Sequence, residues 1–160
     1  CPSIGNDNWI MAYVHIAHDC IVGNNTVLAN CTQLAGHVEI QDNAVLGGFT
    51  GIHQFCRVGY LAITGISSVV LADIPPFVTV MGNTAKPRGI NFEGLKRKRY
   101  PPDTISKIKD AYKIIYRSNF TLDEAIQELG EMLQTTPEIN LLFDFLKAGL
   151  NRDQRRSIVR

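Results

Sequence analysis

Aliphatic residues recur at intervals of six through the first part of the chain: Ile4, Ile10, Ile16, Val22, Leu28, Leu34, Ile40, Leu46, Ile52 and Val58. The next position is usually small (Gly5, Ala17, Gly23, Ala29, Ala35, Gly47, Gly59). Four after each aliphatic stands a small or β-branched residue such as Cys20, Thr26, Thr32, Val38, Ala44, Thr50 or Cys56. A helix repeats near 3.6 and a half-buried strand at 2, so neither produces this pattern. A period of six fits a chain that turns a corner every six residues and sends one aliphatic inward per short flat face. Stacked turns of that kind form a parallel β-helix, in which each coil pairs its backbone with the coils above and below. Small residues near the corners let the chain bend.

The pattern resembles that of the left-handed hexapeptide-repeat solenoids, in which three hexads, eighteen residues, make one coil. The left hand is what the resemblance implies; the crossover rule alone favours the opposite hand. The ladder loses register after Val58, Thr64 takes the next aliphatic slot, and Pro75-Pro76 ends the regular coils. Residues 77–101 read as a loop-rich connector. Beyond it the period becomes helical: Ile105, Ile108, Tyr112, Ile115 and Tyr116 form one apolar stripe. Thr121 with Glu124 makes a capping box for a second helix through Leu122, Ile126, Leu129 and Leu133. Pro137 suits the first turn of a third, running through Leu141, Leu142, Phe145 and Leu146 to Gly149. The basic tail from Asn151 is expected to fray. The expected organisation is mostly β with an α C-terminal domain: coils over 1–76, connector over 77–101, helices over 102–160.

Composition narrows the class. With 45% hydrophobic and 19% charged residues the chain is neither disordered nor collagen-like, and no apolar run is long enough to cross a bilayer, so no membrane insertion is expected. Four cysteines without CxxC spacing read as buried thiols in a reducing compartment. The net charge of +1 hides a break near residue 85: residues 1–85 hold one basic residue, Arg57, against five acidic ones. The basic cluster Lys86, Arg88, Lys96, Arg97, Lys98 and Arg99 reads either as a solvated face or as an attractor for an acidic partner. Nucleic acid is the poorer partner, since no aromatic residues interleave the charges. The start at Cys1 rather than Met suggests a fragment or a processed product.

Eighteen residues per coil place sites eighteen apart about 4.8 Å from each other along the axis. Ala17, Ala35 and His53 then share a column, Gly36 stacks on His18, and His37 is one step along; His15 precedes His18 in the same coil. Solvated edge histidines are the competing reading. Asp19 stands beside His18 and could orient or charge-stabilise its imidazole. Gly36 offers a backbone N–H with no side chain to block a ligand. An imidazole base is typically worth about 10²–10⁴ in rate and a fixed oxyanion donor about 10²–10³. The pair suits acyl transfer to a hydroxyl. Cys20 occupies an inward slot, so direct transfer from donor to acceptor is simpler than a covalent route.

The strings His15-Ile16-Ala17-His18-Asp19-Cys20, Leu34-Ala35-Gly36-His37-Val38 and Gly51-Ile52-His53-Gln54-Phe55, with Gly82-Asn83 and Gly89 through Arg97, resemble those of the UDP-N-acetylglucosamine O-acyltransferases. The similarity runs from about residue 4 into the helical end. It implies a cytoplasmic homotrimer that moves a 3-hydroxyacyl group from acyl carrier protein to the 3-hydroxyl of UDP-N-acetylglucosamine, the first step of lipid A synthesis, with no cofactor beyond the carrier. The resemblance makes His18 the general base, Asp19 its support and the Gly36 N–H the oxyanion donor. His15, His37, His53 and Gln54 match positions contacting the nucleotide sugar or acyl donor. Asn91, Glu93 and Arg97 match nucleotide-side contacts from a neighbouring subunit. Lys98 stands where some relatives carry Arg and lacks the planar fork for bidentate phosphate contact.

Members of that family carry further coils ahead of the stretch seen here, so the sequence is expected to be part of a longer protein. Ile66 matches a position at the far end of the acyl groove, where a branched side chain would shorten the preferred acyl chain. Three alternatives share the solenoid. They are the sister UDP-3-O-acylglucosamine N-acyltransferase, a zinc carbonic anhydrase-like protein using His18, His37 and His53, and a non-catalytic trimeric scaffold.

Overall fold

The computed structural model describes residues 1–153 and 157–160. Two-residue strands recur every six residues from Ser3–Ile4 to Val69–Val70. Each pairs in parallel with the strand one coil on, eighteen residues away: Ser3 opposite Ile21, Trp9 opposite Val27, His15 opposite Gln33. The strands build three sheets around a central core. The first face begins at Ser3–Ile4, the second at Trp9–Ile10 and the third at His15–Ile16. The chain is a parallel β-solenoid followed by helices.

The six-residue slot is the core. Val22, Leu28, Leu34, Ile40, Leu46, Ile52 and Val58 are all buried, and a fully buried aliphatic side chain contributes about 1.5–3 kcal/mol. Ile4 and Ile10 hold the same slot in the first coil, where among the described residues no coil lies outside them, and they stay half exposed.

The corners work differently from the sequence reading. Each turns on one residue in the left-handed region, at Asp7 and then every sixth position to Ser67, with φ between 56° and 66°. These residues need not be small: Tyr13, Phe49, Phe55 and Leu61 are among them. Each non-glycine residue held there costs of order 1 kcal/mol, offset from Asn25 onward by a bond to the coil before: His37 N–H donates to His18 O at 3.1 Å and Phe55 N–H to Gly36 O at 3.1 Å. The small residue after each aliphatic answers a close approach instead. A Cβ at Gly47 would stand 2.8 Å from the Thr64 carbonyl.

The ladder also runs further than the pattern suggests. Thr64 sits opposite Leu46 and Val70 opposite Ile52, still eighteen apart. Thr64 is tolerated in the core because its hydroxyl meets Thr50 Oγ1 at 2.8 Å and accepts the Gly47 N–H at 3.1 Å. Register slips only afterwards, where Ile74 pairs with Val58 and Thr79 with Ile63, each sixteen residues away.

Residues 77–101 are more ordered than a loop-rich connector. Val78–Met81 and Lys86–Ile90 form an antiparallel hairpin that extends the second face. A short helix, α1 (Phe92–Arg97), follows. Next come α2 (Pro102–Tyr116), α3 (Leu122–Met132), and α4 (Asn140–Leu150) after a single 3-10 turn at Pro137–Ile139. Both arms of the Thr121–Glu124 capping box form, at 2.8 and 3.2 Å. The helices bury Ile108, Leu129, Leu142 and Phe145 against Leu61, Phe77 and Leu95.

The tail does not fray where it is described. Asp73 donates its N–H to Ser157 O, and Val159 donates to Asp73 O, both at 2.8 Å. Ile158 and Val159 are buried, so apolar burial holds the strand-like end onto the last coil. The expectation for residues 154–156 lies outside the described residues.

Candidate active site

The corner between the third and first faces gathers five of the sequence-derived candidates. Two columns run along it at the eighteen-residue step: His18, Gly36 and Gln54, then Asp19, His37 and Phe55. Asp19 and His37 occupy the left-handed position of successive coils, with φ of 58° and 61°, so the same backbone geometry aims both side chains.

His18 Nδ1 lies 3.1 Å from Asp19 Oδ2. A proton on Nδ1 satisfies that contact and leaves Nε2 with its lone pair, on the side of the ring toward Gly36. The His18 ring rests against Gly36 of the next coil. A Cβ there would stand 2.7 Å from Nε2, so only glycine leaves the ring its place. His37 meets His18 edge-on, centroids 5.1 Å apart, and is itself stacked on Phe55 at 4.7 Å.

The Gly36 N–H finds no acceptor among the described residues. The matching amides at the next corner donate to side chains, Asn6 to Asn24 Oδ1 and Asn24 to Asp42 Oδ1. This position of the hexad therefore sends its N–H outward, away from the ladder. At Gly36 it is left beside the His18 imidazole. Cys20 is buried, donates to Ala35 O at 3.1 Å, and burial pushes its thiol pKa up, so it is not a nucleophile for this corner.

The other candidates lie apart within one chain. His15 and His53 line a shallow hollow on the third face with Gln33 and Gly51. Among the described residues the atoms of His18, Asp19 and His37 that could hold a metal approach within 4.8 Å of one another, and His53 is not in that group. Ile66 is exposed on a different corner, between the second and third faces, beside Gly48. Asn91 caps α1, accepting from Gly94 N at 3.1 Å and donating to Leu61 O at 3.0 Å, which fixes Glu93 and Arg97 on α1 near the third corner. Sequence reasoning missed Arg152 and Asp153. They border the hollow of Asp19, His37 and Phe55, and a tail expected to fray gave no reason to place them there.

Known proteins resemble this chain in sequence and fold. Residues 1–36 match the bacterial transferase hexapeptide (six repeats) family. The acyl-[acyl-carrier-protein]–UDP-N-acetylglucosamine O-acyltransferase of Herminiimonas arsenicoxydans is 60% identical over 150 residues, covering 91% of this chain and 57% of that protein. Its counterpart from Thiobacillus denitrificans is 56% identical over 143 residues, covering 89% and 55%. The crystal structure of UDP-N-acetylglucosamine O-acyltransferase from Moraxella catarrhalis superposes with a TM-score of 0.93 at 39% identity, covering 99% of this chain and 60% of that one. The chain thus spans somewhat over half the length of these relatives. Residues 73–159, more than half of the chain, match the family described as UDP N-acetylglucosamine O-acyltransferase, domain 2, and the chain belongs to that family.

Proposed function

We propose that the protein containing this chain transfers a 3-hydroxyacyl group from acyl carrier protein to the 3-hydroxyl of UDP-N-acetylglucosamine, opening lipid A synthesis in the cytoplasm. The reading rests on one observation: His18, held at Nδ1 by Asp19, lies against Gly36, whose N–H is free of the ladder. His18 Nε2 takes the proton of the sugar hydroxyl as its oxygen attacks the thioester carbon. The oxyanion that forms accepts the Gly36 N–H. Collapse breaks the C–S bond, and the carrier's thiolate leaves with the proton from the imidazolium. Asp19 keeps the ring in the required tautomer and steadies its transient charge.

A homotrimer fits the placement of the remaining candidates. His18, Ile66 and the α1 residues Glu93 and Arg97 sit on three different corners of one solenoid, and a three-fold arrangement of copies would let corners of neighbouring chains share a cleft. Among the described residues no helix is long and apolar enough to cross a membrane.

The test is transfer of a labelled 3-hydroxyacyl group from acyl carrier protein to the nucleotide sugar. His18→Ala is expected to retain nucleotide-sugar binding and to lower turnover by about 10²–10⁴. Unchanged turnover would remove His18 as the base.

A further inference from the structure

Next to the His18 corner the first face carries a hollow bordered by Asp19, His37, Glu39 and Phe55 from the solenoid and by Arg152 and Asp153 from the tail. Three carboxylates against one guanidinium make it a negative surface, which concentrates cations. On its rim one ligand atom each from His18, Asp19 and His37 lie within 4.8 Å of one another. Two imidazoles and a carboxylate suit zinc, cobalt, nickel or copper; magnesium and calcium take oxygen donors. Bonds of about 2.0–2.1 Å set tetrahedral zinc ligands about 3.4 Å apart, so modest side-chain rotations close the group around one ion. The groups are already steadied: His37 stacks on Phe55 with an interplanar angle of 11°, and His18 is bonded to Asp19.

We propose that His18, Asp19 and His37 chelate a zinc-type divalent cation, and that its binding silences acyl transfer by occupying the base. The metal takes an imidazole lone pair and pulls Asp19 from its supporting role, and neither group is then placed to receive the sugar proton. The chelation stands on the geometry alone; the silencing rests on the acyl-transfer reading above.

Cobalt(II) is the probe for chelation, followed by its visible absorption and displaced by zinc, with no substrate present. One ion per chain is expected. His37→Asn and Asp19→Asn keep side chains that tolerate the left-handed backbone, and each is expected to weaken binding at least about tenfold. Glu39→Gln, in the hollow but outside the triad, should bind as the parent does. Circular dichroism melts confirm that the variants are folded. If both triad variants bind cobalt like the parent, the site is refuted.

Silencing is then read in the transfer assay. Activity should fall in step with zinc occupancy and return on adding a chelator, and the residual activity of His37→Asn should need at least about tenfold more zinc. Zinc occupancy with undiminished transfer overturns the silencing. Failure of the metal-free parent to transfer any acyl group overturns the acyl-transfer reading instead and leaves the cobalt result to judge the chelation.

Discussion

The His18 ring and Gly36 are packed so closely that a methyl group on Gly36 would stand 2.6 Å from the ring's Cε1. Gly36 is not in the left-handed region, so alanine is compatible with its backbone. Gly36→Ala should therefore leave the solenoid intact and push the imidazole off its place. A displacement of about 1 Å at a reacting group lowers turnover by about 10²-fold. Steady-state rates beside a thermal melt check this: equal rates, or a collapse of the melt, would contradict it.

Asp19→Asn separates charge from shape. Asparagine accepts the left-handed backbone that Asp19 holds at φ 58°. Its amide can offer an N–H to His18 Nδ1, which favours the wrong tautomer and withdraws the charge that steadies the imidazolium. Because this carboxylate is half exposed, the loss should be smaller than for a buried triad, about 10²-fold in kcat with KM for the nucleotide sugar little changed. A change confined to KM would recast Asp19 as a binding residue.

Ile66 offers a reading of chain length. It stands exposed beside Gly48, its Cγ1 4.0 Å from where a Gly48 Cβ would lie. If this corner closes the acyl groove against a neighbouring chain, the branched side chain displaces several methylenes, each worth about 0.8 kcal/mol of burial. Ile66→Gly is expected to move the preference to longer acyl groups. Rates with a ladder of acyl carrier protein thioesters decide it; an unchanged profile removes Ile66 from the groove.

What the sequence disclosed follows from what repeats. The slot from Ile4 to Val58 is written in side chains, so the eighteen-residue register and the meeting of His18 with Gly36 could be read from it. The left-handed corners could not, because the backbone there is set by bonds between coils while residues as unlike as Tyr13, Asp19 and Phe55 occupy it. Thr64 hid the continuing ladder because a hydroxyl satisfied inside the core looks like a broken apolar pattern. His37 reads as one step from the His18 column, yet that step passes the corner, which is why it faces Asp19 and Phe55 while His15 and His53 face the third sheet. The docked tail was illegible because its anchor is the backbone of Asp73.

That anchor gives the last prediction. Arg57 Nε donates to Asp73 Oδ2 at 3.0 Å and Nη2 approaches it at 2.9 Å, while the Arg57 backbone N–H donates to Oδ1 at 2.9 Å. Both side chains are buried, and the guanidinium stacks on Phe145 of α4 at 3.8 Å. Gly149 leaves it room, since a Cβ there would collide with Nη2. One ion pair thus ties the last coil, α4 and the tail strand together. Arg57→Met fills similar space but strands a buried carboxylate, which typically destabilises by about 3–5 kcal/mol. Adding Asp73→Asn should recover part of that loss, because a neutral amide oxygen still accepts the backbone N–H of position 57 without carrying an unpaired charge. Urea unfolding at one fixed chain concentration tests both variants. If the single variant unfolds with the parent, or the double variant is the weaker of the two, the pair does not join coil to helix.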